Sequence, residues 1–285
     1  MKVMPDQGMN NMGMDAVSSN WCARLDLGLQ QRGEVTVLAH RRHQGPLVVQ
    51  KPFYPEGNVC HIYLLHPPGG VVGGDQLQIN VDVQDKAHSL ITTPGSGKLY
   101  RSAGPVAQIK QHLRVASDGV LEWLPQDTII FSGCKVDMLT KVELNLHASF
   151  VGWEILCLGR PSSGEIFATG NCRQRFELWR DGEPIVIERN RFMGGDSLLT
   201  ASWGLQNYPV TATMLATPAN QDMLKAVREE ITDTGFSATL LDDVLVCRYL
   251  GQQGAYARNI FKQVWSIIRP ALVNKPACPP RIWST

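Results

Sequence analysis

The sequence predicts a mainly β body followed by a small α/β annex, and three observations carry that prediction. Apolar residues alternate with polar ones along Leu77, Ile79, Val81 and Val83 against Gln78, Asn80 and Asp82, and the period of two returns at Val142, Leu144 and Leu146. Turn residues punctuate such runs at Gly45-Pro46, Pro67-Pro68-Gly69-Gly70, Pro94-Gly95-Ser96-Gly97, Asp118-Gly119 and Asp181-Gly182. Only beyond Pro209 does the apolar spacing become helical, at Met223, Val227 and Ile231 and again at Ile260, Val264 and Ile267.

The elements follow in order. Residues 1–20 hold five of the nine Met among Asn, Gly and Asp without periodicity, which predicts a flexible tail. Residues 21–210 form the β-rich body, where strand–turn repetition without long helices implies stacked or wrapped antiparallel sheets. Residues 211–285 form the annex packed on the body: helices over 220–231 and 255–268, a strand over 244–250 between them, and Pro270 ending the second helix. The closing Arg281-Ile282-Trp283 is apolar enough to pack.

Composition narrows the function. A net charge of +1 supplies no long-range field for nucleic acid or anionic membrane, so neither is an expected partner. The first twenty residues carry a single Lys and no apolar run of signal-peptide length, and a cytoplasmic location is expected. Seven scattered Cys make neither a disulfide framework nor a zinc knuckle. The seven Trp suggest exposed partner surfaces.

Several motifs imitate catalysis. Thr93-Pro-Gly-Ser-Gly-Lys-Leu99 resembles a phosphate loop, but the position of the first Gly is Thr92 and the residue after Lys98 is Leu99, so the tight turn and the magnesium hydroxyl are both missing. Gly195-Asp196-Ser197-Leu198 matches the GDSL block of some esterases, and Asp85-Lys86-Ala87-His88 supplies a DxxH. A GDSL-like hydrolase using Ser197 is therefore the enzyme alternative, weighed against an ordinary turn capped by Asp or Ser. Cys60, His61 and His66 have metal-ligand chemistry, yet an odd separation on a strand points the two His to opposite faces.

Three carboxylates interrupt apolar strands. Glu154 shares a face with Leu156 and Leu158, Glu188 shares one with Val186, and Asp75 opens the best alternating strand. A carboxylate on an apolar face costs several kcal/mol unless it is paired, hydrogen-bonded or beside water. Arg160, Arg189 and Arg191 are the available partners for an ion-paired role. The other reading is that these acids line a wet passage whose sparse oxygen ligands hold a divalent cation weakly.

Longer words add a resemblance. Gly45-Pro-Leu-Val-Val-Gln-Lys-Pro-Phe-Tyr-Pro55, Cys60-His-Ile-Tyr-Leu-Leu-His-Pro-Pro-Gly-Gly-Val-Val-Gly-Gly-Asp75, Tyr100-Arg-Ser102, Leu121-Glu-Trp-Leu-Pro-Gln-Asp127, Leu158-Gly-Arg-Pro161 and Pro280-Arg-Ile-Trp283 resemble the UreD family of urease accessory proteins, called UreH in some systems. The likeness implies a β-helix-like stack of strands with a C-terminal annex of two α-helices. It implies a non-enzymatic scaffold that binds apo-urease and, through UreF, recruits the GTPase UreG for nickel insertion. It also implies no tightly bound cofactor, with nickel in transit along an acidic route lined by Asp75, Glu154 and Glu188.

Overall fold

The computed structural model describes residues 21–284; the Met-rich segment 1–20 lies outside them. Strands β1 (Cys22–Arg32) and β2 (Val35–Gln44) form an antiparallel hairpin, and β3 (Val48–Val49) pairs with β4 (Cys60–Leu65). The chain then winds. A coil of β5 (Gln76–Val83), β6 (His88–Thr92) and β7 (Gly97–Leu99) is followed by one of β8 (Ala107–Val115), β9 (Val120–Trp123) and β10 (Thr128–Ile130). Next come β11 (Lys135–Leu144), β12 (Ser149–Arg160), the short β13 (Glu165–Ile166), β14 (Asn171–Arg180) and β15 (Glu183–Met193).

Each strand lies parallel on its counterpart in the preceding coil, with Gln76 opposite Gln108, His88 opposite Val120 and Gly97 opposite Thr128. The result is a β-solenoid of about four turns, as the family resemblance implies. The antiparallel pairing expected from the turn pattern holds for β1–β2, β3–β4, β12–β13 and β14–β15, while the coils between them stack in parallel. The reason is that most of these turns are corners and not hairpins. A residue with positive φ recurs at the same corner of successive coils, at Lys86, Asp118 and His147 (φ 59°, 55° and 66°), whereas Asp181 (φ 48°) turns the β14–β15 hairpin. Each corner sends the chain onto the next face, so a strand can pair only with the coil below. Leu146 falls at such a corner and is exposed, whereas Val142 and Leu144 are buried.

The inward residues of the coils, Leu77, Ile79, Val81 and Val83 with Leu113, Val142, Phe150 and Phe176, fill the solenoid core. Strand β12 is buried on both faces. Phe150, Leu156 and Leu158 point into the solenoid, while Val151, Trp153, Ile155 and Cys157 form a second core beneath the annex. That annex extends the same sheet: β16 (Val210–Thr217) runs antiparallel to β12, β17 (Phe236–Leu241) and β18 (Val244–Gly251) continue outward, and α1 (Gln221–Glu230) and α2 (Gly254–Val273) cover it.

Asn220 starts α1 by accepting from the Met223 N–H at 3.0 Å. Helix α2 runs through Pro270 to Asn274, whose φ of 53° ends it. Pro270 therefore does not terminate the helix as expected, because the turn that contains it is held from both sides. Leu272 is buried, and the fully buried Arg269 binds Glu56 and Glu122 of the solenoid. Trp283 donates to Thr92 Oγ1 at 2.8 Å and packs between Trp153 and Trp265. Of the seven Trp, Trp123, Trp153 and Trp265 are fully buried, and only Trp21 and Trp203 are strongly exposed.

Candidate functional site

A cavity of about 310 Å³ lies within the solenoid. Its lining reaches the surface at the exposed Pro94, Gly95, Gly97 and Lys98, and its deep wall includes Gln111, Met138, Leu156 and Glu154. His66 also lines it. Burial pushes the His66 imidazole below its ordinary pKa, with the Asp75 charge acting in the opposite direction.

Glu154 is the chemical centre of this interior. Thr140 Oγ1 donates to one of its carboxylate oxygens and Gln174 Nε2 to the other, both in very short contacts. Gln174 Oε1 in turn accepts from Asn190 Nδ2 at 2.7 Å, and Thr140 Oγ1 also lies 2.7 Å from Gln111 Oε1. A hydroxyl has one proton, so Thr140 serves only one of these two acceptors at a time. No Arg or Lys pairs with Glu154 among the described residues. Burial pushes its carboxyl above the ordinary range; the Thr140 and Gln174 hydrogen bonds work against that rise, and the Glu188 charge adds to it.

Glu188 stands next along this polar track. It accepts from Thr213 Oγ1 at 2.9 Å and forms a close ion pair with Arg248 Nη2. Strand register explains the meeting: Glu154 lies opposite Thr213, and Thr213 lies opposite Arg248, so one row across the annex sheet carries all three. Glu188 comes from β15 in the other sheet, opposite Phe176. The structure thus brings Glu154 and Glu188 into electrostatic contact. Asp75 stands apart at the base of β5, where Oδ1 accepts from the Trp21 N–H at 3.1 Å and Oδ2 from the Val72 N–H at 2.9 Å.

The Arg partners considered from sequence are not the ones used. Arg160 binds Glu165, with Nε 2.6 Å from Oε2, and Arg189 and Arg191 are exposed. Arg248 takes the role instead. Thr140 and Gln174 were missed, although parity marks both: Thr140 shares a face with Val136, Met138 and Val142, and Gln174 with Cys172 and Phe176.

The imitations of catalysis resolve into structure. Gly97 and Lys98 lie on strand β7, with no helix N-terminus to receive a phosphate. Ser197 Oγ donates to Asp196 Oδ1 at 3.2 Å, and the same oxygen caps the Leu198 N–H at 3.0 Å. His88, the base of the supposed DxxH, is bound instead to Glu122, with Nε2 2.7 Å from Oε1. His61 is buried with Nε2 2.7 Å from Glu56 Oε1, while His66 lines the cavity, as opposite strand faces require. Among the described residues no group of three or more His, Cys, Asp or Glu is arranged to hold a metal ion.

Fold and site together define a β-solenoid with a buried polar track and no tight metal cage among the described residues. The family model described as UreD urease accessory protein matches residues 22–284, and the chain belongs to that family. It is 45% identical over 279 residues to the urease accessory protein UreD of Citrobacter koseri, covering 97% of this chain and 96% of that protein. It is likewise 45% identical over 286 residues to UreD of Alcanivorax borkumensis, covering 98% and 97%. A protein named urease accessory protein UreD 2 from Brucella anthropi is 44% identical over 274 residues, covering 94% of this chain and all of the relative.

Proposed function

We propose that this chain is a non-enzymatic cytoplasmic scaffold for assembly of the urease nickel centre, and that nickel crosses it along the polar track through Glu154 and Glu188. In this reading the chain bridges apo-urease to UreF and, through UreF, to the GTPase UreG. The carrying observation is Glu154, a buried carboxylate on a cavity wall with hydrogen-bonding neighbours but no cationic partner among the described residues.

Such a group is unfavourable inside an apolar coil unless something positive visits it. Two carboxylates, hydroxyls and amides offer hard oxygen ligands without a closed cage, and that combination favours passage over storage. Nickel is cargo here, and no bond is broken. Asp75 has both carboxylate oxygens engaged by backbone N–H groups, so its part is to act through its charge on His66 in the cavity wall.

The test is nickel content and activity of apo-urease matured in cells carrying Glu154→Gln, Glu188→Gln or Asp75→Asn, after pull-downs establish assembly with UreF and urease. The track reading expects assembly intact and nickel loading sharply reduced for the two Glu variants. Undiminished loading in both would sink it.

A further inference from the structure

The outer face of the solenoid carries a charge arrangement that neither the core nor the polar track explains. The register of the β14–β15 hairpin sets Arg173 directly opposite Arg191 and Arg175 directly opposite Arg189. Residues opposed in this way have Cβ atoms about 4.5–5.5 Å apart, and like charges there destabilise the hairpin. Compensation is slight. Arg175 Nη2 lies 3.4 Å from Asp137 Oδ1, while Arg173, Arg189 and Arg191 are exposed and form no ion pair among the described residues.

The same row continues through Leu139 to the exposed Lys110. With a net charge of only +1, this block is not the overflow of a basic protein. Along β15 it is bracketed on the same strand face by Ile187 and Met193, which are 38% and 40% exposed.

We propose that the outer face of the β14–β15 hairpin docks a partner protein through a segment bearing several carboxylates, with Ile187 and Met193 supplying its apolar contacts. Paired guanidiniums match carboxylates bidentately. A protein segment fits better than nucleic acid because the block is short, the neighbouring Trp179 ring is already covered by Lys141, and the acids Asp137 and Glu177 adjoin it. A longer phosphate backbone would run onto those acids. Strand β15 is the end strand of its sheet, which leaves this face open. Guarding that edge against strand pairing would require charge on β15 alone, and the opposed pair on β14 goes beyond it.

The test uses the full chain and the double variant Arg189→Glu/Arg191→Glu. Each opposed pair then holds one acid and one base, so the hairpin should fold at least as well. A fluorescent oligoglutamate peptide is the probe, with an oligothymidylate of matched charge for comparison. The unsubstituted chain should bind the peptide in a salt-sensitive way, and the double variant about tenfold or more weakly with an equal or higher melting temperature. Absence of peptide binding, equal binding by the variant, or a lowered melting temperature would each overturn the proposal. Tighter binding of the oligothymidylate than of the peptide would overturn it in favour of nucleic acid.

Discussion

Arg269→Met should uncouple the annex from the solenoid. The Arg269 guanidinium is fully buried and donates to Glu122 through Nε and Nη2, both at 2.9 Å, and to Glu56 through Nη1 and Nη2 at 2.7 and 2.8 Å. Glu122, itself fully buried, also meets His88 Nε2 at 2.7 Å and accepts from Trp265 Nε1 at 2.6 Å. Removing one member of such a cluster leaves a buried charge uncompensated, a loss of about 3–5 kcal/mol. All the partners of Glu122 together amount to a similar size. Burial by itself would raise the Glu122 pKa, but the hydrogen bonds and charges of His88 and Arg269 override it and bring the group from its ordinary 4.5 to about 2. That difference corresponds to about 3 kcal/mol. Because the folded-state value is the lower one, this stability is fully present above pH 4.5 and is lost as pH falls towards 2. Urea denaturation at neutral pH is the assay, with the midpoint of the variant well below that of the unsubstituted chain. Adding Glu122→Leu should restore part of the loss, since it removes the stranded charge. A loss under about 1 kcal/mol for Arg269→Met would refute the idea that this cluster anchors α2.

Glu154→Gln should raise stability increasingly as pH rises above the ordinary carboxylate range: the folded-state pKa of Glu154 is raised, so the parent loses stability as pH rises through it and the amide does not; paired denaturation curves across pH check this. Gly170→Ala should cost about 2 kcal/mol or more and lower the melting temperature, because Gly170 has φ +112° and an added Cβ would sit 2.4 Å from the Cys134 carbonyl oxygen. Ser197→Ala should change stability by less than about 0.5 kcal/mol, since the Asp196 cap remains, and any ester hydrolysis by the purified chain should be the same in both proteins.

Much of the fold was legible because it is written in period two. The parity that placed Leu77 through Val83 on one face also placed Glu154 with Leu156 and Leu158 inside the coil. Pairing direction was not legible, since a residue such as Asp118 or Asp181 serves a hairpin and a solenoid corner equally well, and only the coil below decides between them. Nor could the sequence reveal that Glu122, in a run that carried only the family likeness, would meet Arg269 from the far end of the chain. Glu188 shows both limits at once. Its inward face was predicted, but Arg248, which lies sixty positions away in sequence, could not be preferred over the adjacent Arg189 and Arg191. Parity alone argues for that outcome in hindsight, because residues next to Glu188 on an extended strand must face the other way.

The interior track has an energetic consequence that bears on its purpose. A solenoid of this kind is stabilised by stacking apolar side chains along its axis, and Leu77, Ile79, Val142 and Phe176 do so here. Gln111, Thr140, Glu154, Gln174 and Asn190 interrupt that stack with polar groups leading from the cavity wall towards Glu188, Thr140 donating to either Gln111 or Glu154. Apolar residues at the same parity would make a more stable coil, by the reasoning that well-packed hydrophobic replacements of buried charged groups are often neutral or stabilising. The contrast with the Arg269 cluster separates the two kinds of buried charge. Glu122 has its cation and holds α2 in place, so stranding either charge should destabilise; Glu154 has only neutral donors, and its neutralisation should leave a protein at least as stable. If neutralising Glu154 leaves the fold at least as stable, its charge serves something other than packing, and that is what the proposed cation track requires.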